Sequence, residues 1–178
     1  MQRIIIGVDS QFVYFTIRKS GKKLRFPYRA LRDLVEGDGD EVLEMYSPAV
    51  RLPPADNTPE AIGQSYEAYR RYATLIEQQG VNVIEAPAKH SPNGLTHSDD
   101  QRLMERLALS CTRLKPDFLV LVAADGDYAP LVWGLREEGI RTKLITDSII
   151  LSSELRNAAY SVSDLYNVLN QINGNRVA

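Results

Sequence analysis

The sequence predicts an α/β fold on a parallel sheet, and three observations carry that prediction. Short β-type runs recur at Ile4–Val8, Val81–Glu85, Phe118–Val122 and Lys143–Ile145. The first and third are continuously apolar, the pattern of strands buried on both faces. Helical periodicities separate the runs, and alternation of this kind gives right-handed βαβ crossovers with helices on both faces of the sheet. The 178 residues fit one domain. Its expected extent is 1–172, with 173–178 as a frayed tail.

The chain opens as a strand, because Met1 to Asp9 lacks the long apolar core and small-residue cleavage site of a secretory signal. Glu41–Tyr46 is a further strand, set between the Gly-Asp-Gly-Asp turn at 37–40 and a proline-rich stretch. Helices are expected over Tyr28–Glu36, Thr58–Gln79, Ser98–Leu114, Tyr128–Glu138 and Ser152–Asn170. Thr58-Pro59-Glu60 places a capping residue before a proline at the first helical position, while Gly80 and Gly139 supply helix stops. Residues 47–57 hold three prolines, and residues 86–97 hold two more with Asn93-Gly94, so both read as surface loops.

Composition excludes several classes. The formal charge of −2, from 21 basic and 23 acidic residues, gives no global field for a polyanion, so any nucleic-acid binding must come from a local patch. Cys111 is the only cysteine, which excludes an intrachain disulfide and favours a reducing, cytoplasmic setting. Apolar runs such as Phe118–Ala124 fall far short of the roughly 20 residues that span a bilayer, so no membrane partner is expected.

The acids follow the strands. Asp9 directly follows Ile4–Val8; Asp125 and Asp127, with Gly126 between them for a tight turn, follow Phe118–Val122 and its Ala123-Ala124 extension. Asp99 and Asp100 open a helix that faces the same edge, with Ser98 as its expected N-cap. Ligands bind at the carboxyl ends of strands in open parallel sheets. Each acid alone has a plainer role: Asp99 and Asp100 suit a helix dipole, Asp127 could cap the following helix, and Asp9 could cap one too. Joint placement at one rim is what capping does not require. Clustered carboxylates resist ionisation unless a cation compensates. Mg²⁺ or Mn²⁺ suits such oxygen ligands and leaves positions for a phosphate oxygen and an attacking water, which points to phosphodiester hydrolysis.

These segments resemble the NYN domain family, the LabA-like branch of the PIN-like nucleases. The resemblance rests on Ile4-Ile5-Ile6-Gly7-Val8-Asp9, on Asp99-Asp100, and most specifically on the block from Asp117 to Val132 containing Ala123-Ala124-Asp125-Gly126-Asp127-Tyr128-Ala129-Pro130-Leu131-Val132. Lys143-Leu144-Ile145 with Ser152-Ser153-Glu154-Leu155 completes it. It implies a three-layer α/β/α sandwich with a parallel sheet in the order 3-2-1-4-5, and metal-dependent ribonuclease activity. It also implies that Asp9, Asp125 and Asp127 ligate the metal, with Asp99 or Asp100 as the fourth acid and Glu105 as an outer candidate. Two departures stand out: Phe12 occupies a position where the family commonly has Asn, and Ala123-Ala124 replaces Ser-Gly.

Substrate contacts are expected near Asp9 from Ser10, Gln11 and Phe12, and from the basic run Arg18, Lys19, Lys22, Lys23 and Arg25, which could hold an RNA backbone or simply be a solvated loop. Lys89 and His97, in the loop before Asp99, are further phosphate contacts; His90 flanks the same loop. Among the aromatics, Phe12, Tyr14, Phe15, Phe26 and Tyr28 divide between base stacking and core, and Tyr66, Tyr69 and Tyr72 are expected to pack their helix on the sheet. Cys111 reads as core. The expectation is a ribonuclease using Mg²⁺ or Mn²⁺ and acting on single-stranded or structured RNA. The alternative is a catalytically weak or inactive domain serving as an RNA-binding or regulatory adaptor, and a homo-oligomer is compatible with either.

Overall fold

The computed structural model describes residues 1–19, 26–37, 39–92 and 94–174. Lys22, Lys23 and Arg25 therefore lie outside the described residues, as do Asn93 and residues 175–178. In chain order the elements are β1 (Arg3–Val8), α1 (Ser10–Lys19), α2 (Tyr28–Glu36), β2 (Glu41–Arg51), α3 (Pro59–Glu77), β3 (Asn82–Pro87), β4 (Lys89–Ser91), β5 (Gly94–Thr96) and α4 (Asp99–Leu114). There follow β6 (Phe118–Val122), a 3₁₀ turn (Gly126–Tyr128), α5 (Ala129–Glu137), β7 (Arg141–Thr146), α6 (Ser153–Ala158), β8 (Ser161–Asp164) and α7 (Leu165–Gly174).

Six strands form one parallel sheet in the order β3-β2-β1-β6-β7-β8. The five expected strands hold the 3-2-1-4-5 arrangement, and β8 extends it by one at the edge. The helix expected over Ser152–Asn170 is accordingly broken into α6, β8 and α7. Two expected loops also carry strand. β2 continues through Pro48 to Arg51, and β4 and β5 pair as an antiparallel hairpin inside 86–97.

Alternation along the central strands builds the layers. Ile4, Ile6 and Val8 of β1, with Phe118, Val120 and Val122 of β6, face a core filled by α1, α2 and α7, including Val13, Leu31 and Val168. Ile5, Leu119 and Leu121 face the opposite core, where α4, α5 and α6 bring Leu103, Leu107, Cys111, Val132 and Leu155. Gly7 lies on that second face, and a Cβ there would sit 2.6 Å from Leu107 Cδ1. Its absence lets α4 lie close against β1, which sets the height of Asp99 and Asp100 over the strand ends.

Caps explain most boundaries. Thr58 Oγ1 accepts from the Ala61 amide at 3.3 Å, and Gly80 and Gly139 take positive φ at their helix ends. Ser98 departs from its expected role: its side chain makes no cap hydrogen bond, and its hydroxyl accepts from Arg102 Nε instead. Of the three tyrosines on α3, only Tyr69 is buried.

Candidate metal centre

β1 ends between β2 and β6, and its last residue delivers the chain into the acidic rim. The Asp9 amide donates to the Val122 carbonyl at 3.0 Å, extending the β1–β6 ladder by one bond. Asp9 Oδ1 then accepts from the Phe12 amide at 2.9 Å, so the same carboxylate caps α1. That helix had no sequence expectation.

Asp9, Asp99 and Asp100 each offer an oxygen lying within 4.8 Å of the other two. No other cluster of three or more ligating side chains occurs among the described residues. Each of the three also has one oxygen held by the protein. Phe12 N–H holds Asp9 Oδ1, the Tyr128 hydroxyl donates to Asp100 Oδ1 at 3.0 Å, and His97 Nδ1 closely contacts Asp99 Oδ1. Asp99 Oδ2 is buried and has no hydrogen-bond partner.

The electrostatics are severe. Two unit charges 4.8 Å apart repel by roughly 3–4 kcal/mol at an effective dielectric of about 20. Burial, then Asp100 and Asp99, push the Asp9 carboxyl up to about 7 despite the amides of Phe12 and Gln11. Asp100 is raised by burial, by Asp99 and by Asp125, against the opposing Tyr128 hydrogen bond and His97. Such a site favours protonation or a cation. An orphaned buried oxygen, hard oxygen donors and few carboxylates fit a Mg²⁺- or Mn²⁺-type ion.

A pocket of about 400 Å³ opens over the cluster. Asp9, Asp100 and Asp125 line it with Gln11, while Phe12, Phe15, Ala124 and Ile150 form its apolar wall. Gly126 and Ser152 close one side, where an added Cβ at Gly126 would come within 2.9 Å of Ser152 Oγ. Asp125 holds the turn after β6 by accepting the Asp127 amide at 3.0 Å, so the capping oxygen belongs to Asp125 rather than Asp127. Asp127 is exposed and is not among the residues lining the pocket.

The remaining candidates spread out. Ser10 is buried at the start of α1. Arg18 and Lys19 fall in its last turn, roughly 12 Å along the axis from Ser10, and Arg18 donates to the Tyr14 hydroxyl at 3.2 Å. Lys89 and His90 are exposed on β4. His97 is drawn to Asp99 rather than to an open phosphate position. Glu105 is exposed and accepts from Gln101. Sequence reading missed the Tyr128 hydroxyl and the wall built by Ile150 and Ser152. The signal for Ser152 was available, since it caps α6 through the Leu155 amide at 3.1 Å.

No curated protein matches the chain. A crystal structure of a protein of unknown function from Vibrio parahaemolyticus shares the fold, with a TM-score of 0.65 at 22% identity over 92% of this chain and 93% of that one. The family model for the NYN domain matches residues 3–166, a span running from β1 into α7 and including every strand-end acid described above. The chain therefore belongs to the NYN domain family.

Proposed function

We propose that this NYN domain is a metal-dependent ribonuclease that hydrolyses RNA phosphodiester bonds, with Mg²⁺ or Mn²⁺ held by Asp9, Asp99 and Asp100 and with Asp125 facing them across the pocket. One observation carries the reading. Three carboxylates each have one oxygen held by the protein and converge within 4.8 Å, at a cost in repulsion that a bound cation offsets without protonating them. When bound, such an ion supplies charge stabilisation at phosphorus and lowers the pKa of water. The protein's own part is positional. Tyr128 fixes Asp100, His97 fixes Asp99, and the α1 amides fix Asp9. Phe15, half-exposed on the pocket wall and edge-on to Tyr14, offers a ring face for a base. Asp127 belongs to the outer acidic rim. The lone cysteine, buried and unpaired, supports a cytoplasmic setting.

Purified protein should cleave a fluorescent RNA oligomer with Mn²⁺ and stop in excess chelator. Asp100→Asn should lower the rate at least 100-fold with an unchanged circular dichroism spectrum. Robust cleavage in chelator overturns the proposal.

Phe12 favours a second reading, an RNA-binding or regulatory adaptor with little catalysis. It is buried and lends a hydrocarbon ring to the pocket wall where a polar helper would orient water or phosphate. Under that reading Mn²⁺ produces neither cleavage nor a thermal shift, whereas a resident ion at about 100 times its dissociation constant adds about 2.7 kcal/mol.

A further inference from the structure

The opposite, amino-terminal edge of the sheet carries a second concave site of contrary charge. A cleft of about 340 Å³ opens between α5, the first residues of β7 and the end of α6, lined by Arg136, Arg141, Thr142, Ala158, Ala159 and Tyr160. Its size suits a small ligand or a fragment of a larger one. The Arg141 guanidinium lies 4.2 Å from the ring centre of Phe118 and 5.1 Å from that of Tyr160, and the Arg136 guanidinium lies 5.2 Å from that of Trp133. Lys143 Nζ approaches Phe118 from 4.2 Å. Among the described residues none of these three cations has a carboxylate within ion-pair distance. Two nearby acids are engaged elsewhere: Glu138 pairs with Lys115 at 2.7 Å, and Asp117 accepts the Arg3 amide at 2.8 Å. Thr142 is 2% exposed, and its hydroxyl has no partner.

Packing accounts for Ala158 and Ala159 but not for stacked, uncompensated guanidiniums beside an orphan hydroxyl. We propose that this cleft binds a nucleotide phosphate, the arginine forks and the Thr142 hydroxyl taking phosphate oxygens while Tyr160 or Trp133 stacks on the base. Guanidinium forks match phosphate geometry. Tyr160 and Trp133, at 61% and 43% exposure, leave ring faces that a base would cover. An acidic peptide would use the forks and leave those faces in water.

Trp133, the only tryptophan of the chain, lies against Arg136 at the margin of the cleft, so its fluorescence responds to a ligand that engages Arg136 or stacks on its ring. Titrations in excess chelator, repeated on Asp9→Asn protein, remain informative even if the acidic rim proves inactive. We expect saturable quenching by a short single-stranded oligoribonucleotide and by adenosine monophosphate. Affinity should fall tenfold or more in Arg136→Ala/Arg141→Ala, and the log–log salt slope for the single-stranded oligomer should drop by about 1.4. Thr142→Val, which keeps the shape and removes the hydroxyl, should weaken binding several-fold without lowering Tm. Tighter binding of the oligomer than of the monophosphate assigns an RNA strand; equal affinity assigns a free nucleotide. Should Arg141→Ala unfold the protein, Arg141→Lys, which retains charge without the planar fork, provides the comparison. Absence of quenching, equal quenching in the folded double variant, or equal quenching by an oligoglutamate peptide overturns the proposal.

Discussion

Between about pH 4 and about pH 7 the folded chain holds a proton on Asp9 that the unfolded chain has released, because burial and the Asp100 and Asp99 charges raise that carboxyl to about 7. A group bound to more protons in the native state makes stability fall as pH rises through that window. Cation-free protein should therefore melt at a higher temperature at pH 5 than at pH 8, and Mn²⁺ should narrow or reverse the difference in scanning calorimetry. Asp9→Asn keeps an oxygen for the Phe12 amide and removes the charge. In chelator at pH 8 it should be more stable than wild type by on the order of 1 kcal/mol or more, and it should lose the Mn²⁺ response. A less stable variant would show that repulsion does not govern the rim. Tyr128→Phe deletes the donor to Asp100 Oδ1 with almost no change in shape. Loss of such outer support typically weakens metal binding about 10–100-fold, and titration calorimetry with Mn²⁺ measures it directly.

α4 carries two of the acids, and its seat on β1 depends on a missing side chain. Gly7→Ala would drive a Cβ to within 2.6 Å of Leu107, which is fully buried, so the helix or the leucine must move. Overpacking of this kind costs about 1–3 kcal/mol. Urea unfolding should show that loss, together with weaker Mn²⁺ binding because Asp99 and Asp100 shift with the helix. Elements differ in how far their sequences announce them. β6 and its turn are legible because five consecutive apolar residues suit a strand covered on both sides, and Asp125-Gly126 suits the turn that follows. α1 is not, since Phe12, Val13, Tyr14, Phe15, Thr16 and Ile17 are strand-prone types; the Asp9 cap and burial of Phe12, Val13, Thr16 and Ile17 make it a helix. Pro48 disguises β2. The β1 pairing ends at Tyr46, so beyond it β2 pairs only with β3, and a missing amide on the open side forfeits no ladder bond. β8 is short and its first three residues are exposed, and only its register with β7 identifies it.

At the scale of the whole molecule, strand order decides what meets what. Placing β1 between β2 and β6 brings position 9 beside the turn at 125 and beneath the start of α4, a convergence that the strand-end rule made readable before any coordinates. The same rule is silent about the opposite edge, where Arg136, Arg141 and Tyr160 come from three elements with no shared motif. The rule puts Asp127 at the rim beside Asp125, yet the direction of its side chain is set by a single local turn. β1 also has a consequence for dissection of the chain. A cut between β4 and β5 leaves Asp9 on one piece and Asp99, Asp100 and Asp125 on the other, each piece presenting a raw strand edge, β1 or β6, to its complement. Neither half carries all the acids of the proposed ion site. Mixing the two halves should restore Mn²⁺ uptake in a one-to-one assembly, with each half inert alone, and the regained binding would serve as a proximity reporter for whatever is fused to the two new ends.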